Sequence, residues 1–301
     1  MGALRAVILG AAAGGGLPQW NCGCANCRAA RRGEIPALTQ SSLAVSADGA
    51  EWVILNASPD IGRQLLGAPM LHPTGPRAVP IRSVVLTNGD IDHVAGLLTL
   101  REKQPFALWT TGAIADVLAA NPIFDALDRD LVERRRVALE EPFRPAAGLE
   151  MRLFAVPGKV ALYLEGAGES VVTDLEGEQT AGVEIRAGAT RTLYIPGCAR
   201  MTPGLGARLE GADLVFFDGT LWRDDEMIRL GLGQKTGARM GHMPMDGAAG
   251  SIAAFRDIAV GRKVFVHMNN TNPVLVPASA ERRAAEAAGW TVGQDGMEIA
   301  T

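Results

Sequence analysis

Residues 87–93 read Thr-Asn-Gly-Asp-Ile-Asp-His and follow an apolar, β-branched run, Ser83-Val84-Val85-Leu86. Such a run reads as a buried strand. It delivers Asp90, Asp92 and His93 to a loop at its carboxyl end, ahead of a helix opening at Val94–Leu98. Two carboxylates and an imidazole at that spacing have the makings of a metal site. A second cluster is Cys22-Gly23-Cys24-Ala25-Asn26-Cys27. Small residues between the cysteines let three thiolates converge on one tetrahedral ion, for which Zn²⁺ is the usual occupant. Pairing them as disulfides would be strained, and four cysteines in 301 residues are too few for a disulfide scaffold. Three thiolates leave one zinc position open, to be filled from elsewhere in the fold or by a partner chain.

Other polar residues close apolar runs in the same way. His267 ends Val264-Phe265-Val266 and precedes the polar loop Met268–Asn272. Cys198 follows Leu193-Tyr194-Ile195-Pro196-Gly197, and Asp218 follows Val215-Phe216-Phe217. His242 lies in a loop, Gly241-His242-Met243-Pro244, as a proton carrier or merely a loop residue. His72, in a Pro/Gly loop, reads as a surface residue. The segment Ala6–Gly16 has the outline of a strand and dinucleotide loop. However, Ala12 stands where the glycine fingerprint needs glycine, and Gly16–Asn21 runs straight into the cysteines rather than into a helix.

The elements that must carry these groups are strands with helices interspersed. Strands are expected at Leu4–Leu9, Leu43–Val45, Trp52–Leu55, Ser83–Leu86, Phe106–Trp109, Met151–Val156, Ala161–Leu164, Val183–Ile185, Thr192–Ile195, Leu214–Phe217 and Val264–His267. Helices are expected at Asp60–Leu66, Gly112–Asn121, Asp125–Val137, Gly247–Ile258 and Ala278–Ala288. That alternation argues for an α/β protein with sheets covered by helices, its halves near 1–150 and 151–301 packed sheet to sheet. At 48% apolar the chain can bury a large core. Its 29 basic and 33 acidic residues, a net charge of −4, give no reason to expect nucleic acid as a partner. No apolar run approaches the roughly 18–20 residues of a membrane span. The first residues could pass for a short signal peptide, but Leu4–Leu9 reads equally well as a strand, and a cytoplasmic location is expected.

The order of motifs is the loop at 87–93, a strand ending in Gly197-Cys198, Phe216-Phe217-Asp218-Gly219-Thr220, Gly241-His242-Met243-Pro244, and a strand ending in His267. It resembles the metallo-β-lactamase superfamily, in particular its ribonuclease Z and phosphonate-pathway phosphodiesterase branch. The loop is similar to the superfamily signature His-x-His-x-Asp-His with Asn88 and Asp90 in place of two histidines. With the Cys22–Cys27 clasp, the resemblance narrows over all 301 residues to a divergent branch that serves biosynthesis of a quinone cofactor. It implies one αβ/βα sandwich domain over 1–301, two mixed β-sheets face to face with helices on the outer faces.

The resemblance also implies a ligand set. One family metal position is dismantled here, since Asn88, Asp90 and the strand end Val156-Pro157-Gly158-Lys159 offer little to it. The other keeps Asp92, His93 and His267, and the bridging aspartate has become Cys198, a soft ligand or a redox liability. Asp90 is a fourth or substitute ligand. Asp218 and His242 would orient imidazoles or move protons. Asn270 is a candidate fourth ligand for the structural zinc, because relatives place a zinc-binding histidine there, and a homodimer is expected. Two histidines and a carboxylate with open positions form the set used by non-haem Fe(II) oxygenases. The activity that the resemblance implies is Fe²⁺- and O₂-dependent hydroxylation of a tyrosine ring in a peptide-derived Glu–Tyr species, with other divalent metals possible at the site. The alternatives are a mononuclear metallohydrolase, and a carrier for the finished cofactor or its precursor. Other proteins of the same pathway are possible partners.

Overall fold

A computed structural model describes residues 4–165 and 172–301. The strands are β1 (Arg5–Gly10), β2 (Ser42–Ser46), β3 (Trp52–Leu55), β4 (Ile81–Val85), β5 (Phe106–Thr110), β6 (Val132–Arg136), β7 (Pro142–Ala146), β8 (Leu149–Ala155), β9 (Ala181–Ala187), β10 (Thr190–Ile195), β11 (Ala212–Asp218), β12 (Val260–Val266), β13 (Trp290–Val292) and β14 (Glu298–Ala300). They form two seven-stranded sheets in the orders β14-β1-β2-β3-β4-β5-β6 and β13-β12-β11-β10-β9-β8-β7. Each sheet is antiparallel at one side and parallel at the other, with β3 to β6 parallel in one and β10 to β13 parallel in the other. This is the sandwich of two mixed sheets that the motifs led us to expect.

Period-two alternation puts one face of each strand into the space between the sheets. In β1, Ala6 and Ile8 face the opposite sheet while Val7 and Leu9 face the outer helices; in β3, Val53 and Leu55 point inward and Trp52 and Ile54 outward. The first sheet's outer face is covered by the helices Ile61–Gly67 and Gly112–Ala119. Across the sheets Trp109 stacks on Phe143 at 4.7 Å, and Trp109 Nε1 donates to Ser83 Oγ, which in turn donates to the Pro145 carbonyl at 2.6 Å. The chain crosses between sheets after β6, close to the expected midpoint, and β14 returns to the first sheet beside β1.

Some local expectations are overturned. Asp125–Val137 is a short 3₁₀ turn, Pro122–Ala126, followed by β6. The acid–base spacing there resembles a helix, but the charges decorate the open side of an edge strand, where they discourage pairing with another chain. Ala161–Leu164 holds a 3₁₀ turn at Leu162–Leu164 with all three residues exposed, and within Gly247–Ile258 only Ser251–Ala254 is helical.

Candidate metal centre

The carboxyl ends of the parallel strands β4, β11 and β12 meet at one rim of the sandwich, where open α/β sheets present functional groups. Asp90 ends the extended run after β4, and its carbonyl accepts the His93 and Val94 N–H groups, starting the turn Ile91–Val94. That turn is held against the loop after β3, with Ala57 N–H donating to the His93 carbonyl and Gly96 N–H to the Ala57 carbonyl. A Cβ at Gly96 would lie 2.1 Å from the Ser58 carbonyl oxygen, so only glycine permits this approach. At the end of β12, His267 has a φ of 57°, the left-handed region a histidine rarely adopts. Such strain collects at functional sites.

The two loops bring Asp92, His93 and His267 together. His267 Nε2 lies 3.1 Å from Asp92 Oδ2, and His93 Nε2 lies 3.9 Å from the same oxygen. Their ligand atoms all fall within 4.8 Å of one another, a distance one ion could span. His93 is buried, and its Nε2 has no hydrogen-bond partner among the described residues. An orphaned, buried imidazole nitrogen aimed at a carboxylate fits a metal ligand. Burial holds His93 down to about 4, so it is neutral near pH 7. Burial works against the Asp92 carboxylate, but the His93 and His267 rings outweigh it and hold Asp92 well below the usual range. Burial likewise disfavours protonated His267, yet the Asp92 carboxylate raises it overall.

The outer nitrogens are held by a network centred on Thr220, to which sequence reading gave no role. Thr220 Oγ1 lies 2.6 Å from Asp218 Oδ1, 2.9 Å from His267 Nδ1 and 3.1 Å from His242 Nδ1. A carboxylate only accepts, so the hydroxyl gives it its single proton and receives the His267 Nδ1–H. That assigns the tautomer leaving the His267 Nε2 lone pair toward Asp92 and His93. His242 Nδ1 donates to Asp218 Oδ2 at 2.7 Å, and its ring stacks on His267 at 5.2 Å. Asp218, His242 and His267 are also close enough to hold an ion, but Asp218, wholly buried, already accepts from Cys198 N, Thr220 and His242. On the other side His93 Nδ1 lies 3.5 Å from Thr87 Oγ1, and Asn56 donates to and accepts from Thr87. The Asp-Gly-Thr run after β11 was the available signal for Thr220; nothing local pointed to Asn56.

Two residues stand apart from the group. Cys198 is buried, and its thiol donates to the Arg200 carbonyl at 3.2 Å rather than joining the three ligands. Burial, reinforced by the Asp218 carboxylate, pushes that thiol far up. Asp90 lines the cleft but accepts the Leu162 N–H at 3.1 Å; burial and the Asp92 charge push it up. His72 bonds the Leu66 carbonyl, away from the centre. The Gly-rich loop walls the cleft with Ala13 and Gly14, and a Cβ on Gly14 would sit 3.4 Å from Asp92 Oδ2. The cleft has a volume of about 330 Å³. A larger cavity, about 490 Å³, lies beyond Gly15 and Gly16, but its Asp60 and Asp295 are already bonded to Gln40 and Thr39.

The sulfurs of Cys22, Cys24 and Cys27 also converge within 4.8 Å. Asn270 Nδ2 lies 3.2, 3.6 and 3.2 Å from them, so a side chain of the same chain occupies the fourth corner. Which amide atom faces the sulfurs depends on whether an ion sits there. Nothing in this geometry asks for a partner chain.

A family model described as a beta-lactamase superfamily domain matches residues 51–268. The coenzyme PQQ synthesis protein B of Methylobacterium nodulans is 57% identical over 299 residues, 98% of this chain and 99% of that protein. The chain belongs to the coenzyme PQQ synthesis protein B family. A crystal structure of Zn²⁺-bound PqqB from Methylobacterium extorquens is 55% identical and superposes with a TM-score of 0.96, covering 98% of this chain and 99% of the other. A diphosphatase of the PhnP family, 19% identical with a TM-score of 0.70 over 99% and 97% of the two chains, shares the fold. Membership of the coenzyme PQQ synthesis protein B family places the chain in PQQ biosynthesis. No helix among the described residues is long and apolar enough to cross a membrane.

Proposed function

We propose that this protein hydroxylates the tyrosine ring of a peptide-derived Glu–Tyr species on the way to PQQ, using one Fe²⁺ held by Asp92, His93 and His267, with structural Zn²⁺ in the Cys22–Cys24–Cys27–Asn270 clasp. The supporting observation is the unpaired His93 Nε2 beside Asp92 and His267, a two-histidine, one-carboxylate set on one wall of a cleft. Bound there, iron supplies the electron transfer that O₂ chemistry needs and that redox-inert zinc does not. The residues do the rest. Asp218 and Thr220 hold the His267 imidazole in one tautomer, and Gly14 lines the cleft beside Asp92 with no side chain of its own. His242 keeps Nδ1 on Asp218, which leaves Nε2 to take the phenolic proton. In the net reaction a ring C–H becomes C–OH, and the second oxygen leaves as water at the expense of two electrons from a reductant. Four cysteines that form no disulfide suit the reducing cytoplasm, and the homodimer is carried by the family resemblance alone.

The test is anaerobic loading with Fe²⁺ followed by oxygen-electrode measurement with a glutamyl–tyrosine substrate. O₂ uptake is expected, lost in His93→Ala and in His267→Ala. Turnover with Zn²⁺ and no O₂ uptake would instead establish a hydrolase. Undiminished PQQ production in cells carrying either variant would establish a carrier.

A further inference from the structure

The cleft has a cationic pole away from the metal ligands. Lys159, after β8, and Lys235, ahead of the helix Gly237–Met240, both line it. Together with Arg239 they share one carboxylate: Lys159 Nζ lies 3.0 Å from Glu165 Oε1, while Lys235 Nζ and Arg239 Nη2 lie 3.7 and 3.0 Å from Oε2. Among the described residues none of the three has a second acidic partner, so counted over those residues three cations face one carboxylate. Burial opposes ionisation of Glu165, but Arg239 and Lys159 hold it down to about 2. Its charge is therefore already spent.

Such a surplus is costly where water is scarce. The Lys159 side chain is only 11% exposed, and lysines that deep are normally fully paired. Its ammonium donates to the Val160 carbonyl at 3.2 Å and is ion-paired with Glu165 Oε1 at 3.0 Å, which leaves donor capacity over. Arg239 Nη1 is buried with no hydrogen-bond partner among the described residues. The cleft's own carboxylates do not balance the account. Asp92 faces His93 and His267, and Asp90 accepts the Leu162 N–H at 3.1 Å.

We propose that Lys159 and Lys235 form a carboxylate-binding pole that seats an acidic substrate so that its other end reaches the metal ligands. The volume of about 330 Å³ suits a dipeptide-sized molecule. Lys159, preorganised by Glu165 and Val160, is the anchor. The half-exposed Lys235 draws the anion in and is more sensitive to salt. Both are positioning residues. The inference rests on the cleft being the substrate site, as proposed above, but not on the metal being iron or on O₂ chemistry.

The experiment uses zinc-loaded protein, which binds without oxidative turnover, and two probes: glutamyl-tyrosine and its fully amidated counterpart, which lacks carboxylates. Titration calorimetry should show the acid binding at least tenfold more tightly than the amide. That preference should fall below about threefold in a Lys159→Met/Lys235→Met variant, with amide affinity and zinc content unchanged. Lys235→Met alone, at an exposed position, should lose part of the preference, and Lys159→Arg should keep most of it. Equal affinity for acid and amide, no measurable binding of the acid at millimolar concentration, or a preference that survives the double substitution would each overturn the proposal. Absence of O₂ uptake by the iron-loaded protein would sink the hydroxylase reading alone.

Discussion

Thr220 shows how much of this centre depends on a residue that binds no metal. Its hydroxyl joins Asp218 to His267 and His242, so Thr220→Val should leave Asp218 and His267 Nδ1 short of a partner. Metal affinity should drop about 10–100-fold by competition with a chelator, and Thr220→Ser should restore it. The same imidazoles dictate a pH dependence. His93, held down to about 4 by burial, is neutral well below pH 7, whereas His267, raised by Asp92, must release a proton before it can bind. Affinity should therefore fall as pH drops through the His267 titration, about tenfold per unit and with a slope of one. The slope should steepen to two only below about pH 4, where His93 also takes a proton. A slope of two near neutrality would contradict the assignment. Asp92, His93 and His267 were legible because each follows a buried strand in a chain with only four histidines. Lys159 was noticed only for what it replaced, since its charge balance depends on residues from three separate segments.

Strand ends bring the ligands near one another, and tight backbone approaches between the intervening segments set their positions. The turn Ile91–Val94 reaches Ala57 and Ser58 because residue 96 has no side chain. In Gly96→Ala the new carbon meets the Ser58 and Ala57 carbonyls, so the turn must lift and carry His93 with it. A loss of about 1–3 kcal/mol of stability is expected, read by denaturant unfolding, together with weaker metal binding. Strands with apolar cores, such as β3, β5 and β11, were legible because burial dictates their composition. β6 was not, because Glu133, Arg135 and Arg136 lie on the outside of a sheet edge and their spacing imitates a helix. The exposed 3₁₀ turn at Leu162–Leu164 misled in the opposite direction, its apolar residues lying over the cleft rim rather than in the core.

Across the whole molecule, a relay from Trp109 through Ser83 to the Pro145 carbonyl joins the sheets, as does the bond between the Ser41 and Tyr194 hydroxyls. Ser83→Ala would strand a buried indole N–H and a carbonyl, at a cost of about 1–3 kcal/mol measurable by thermal unfolding. The serine stood inside an apolar run, and sequence gave no hint of its partner because Pro145 lies on the other sheet. A long-range link of another kind joins the clasp to the reaction centre. His267 and Asn270 are three positions apart on one loop, the first beside Asp92 and the second among the cysteine sulfurs. Cys22 and Cys24 are half-exposed. An oxidant that consumed either thiol would loosen Asn270, and the slack would arrive at His267 without any reagent entering the cleft. The state of the clasp is thereby expected to bear on where His267 stands at the rim.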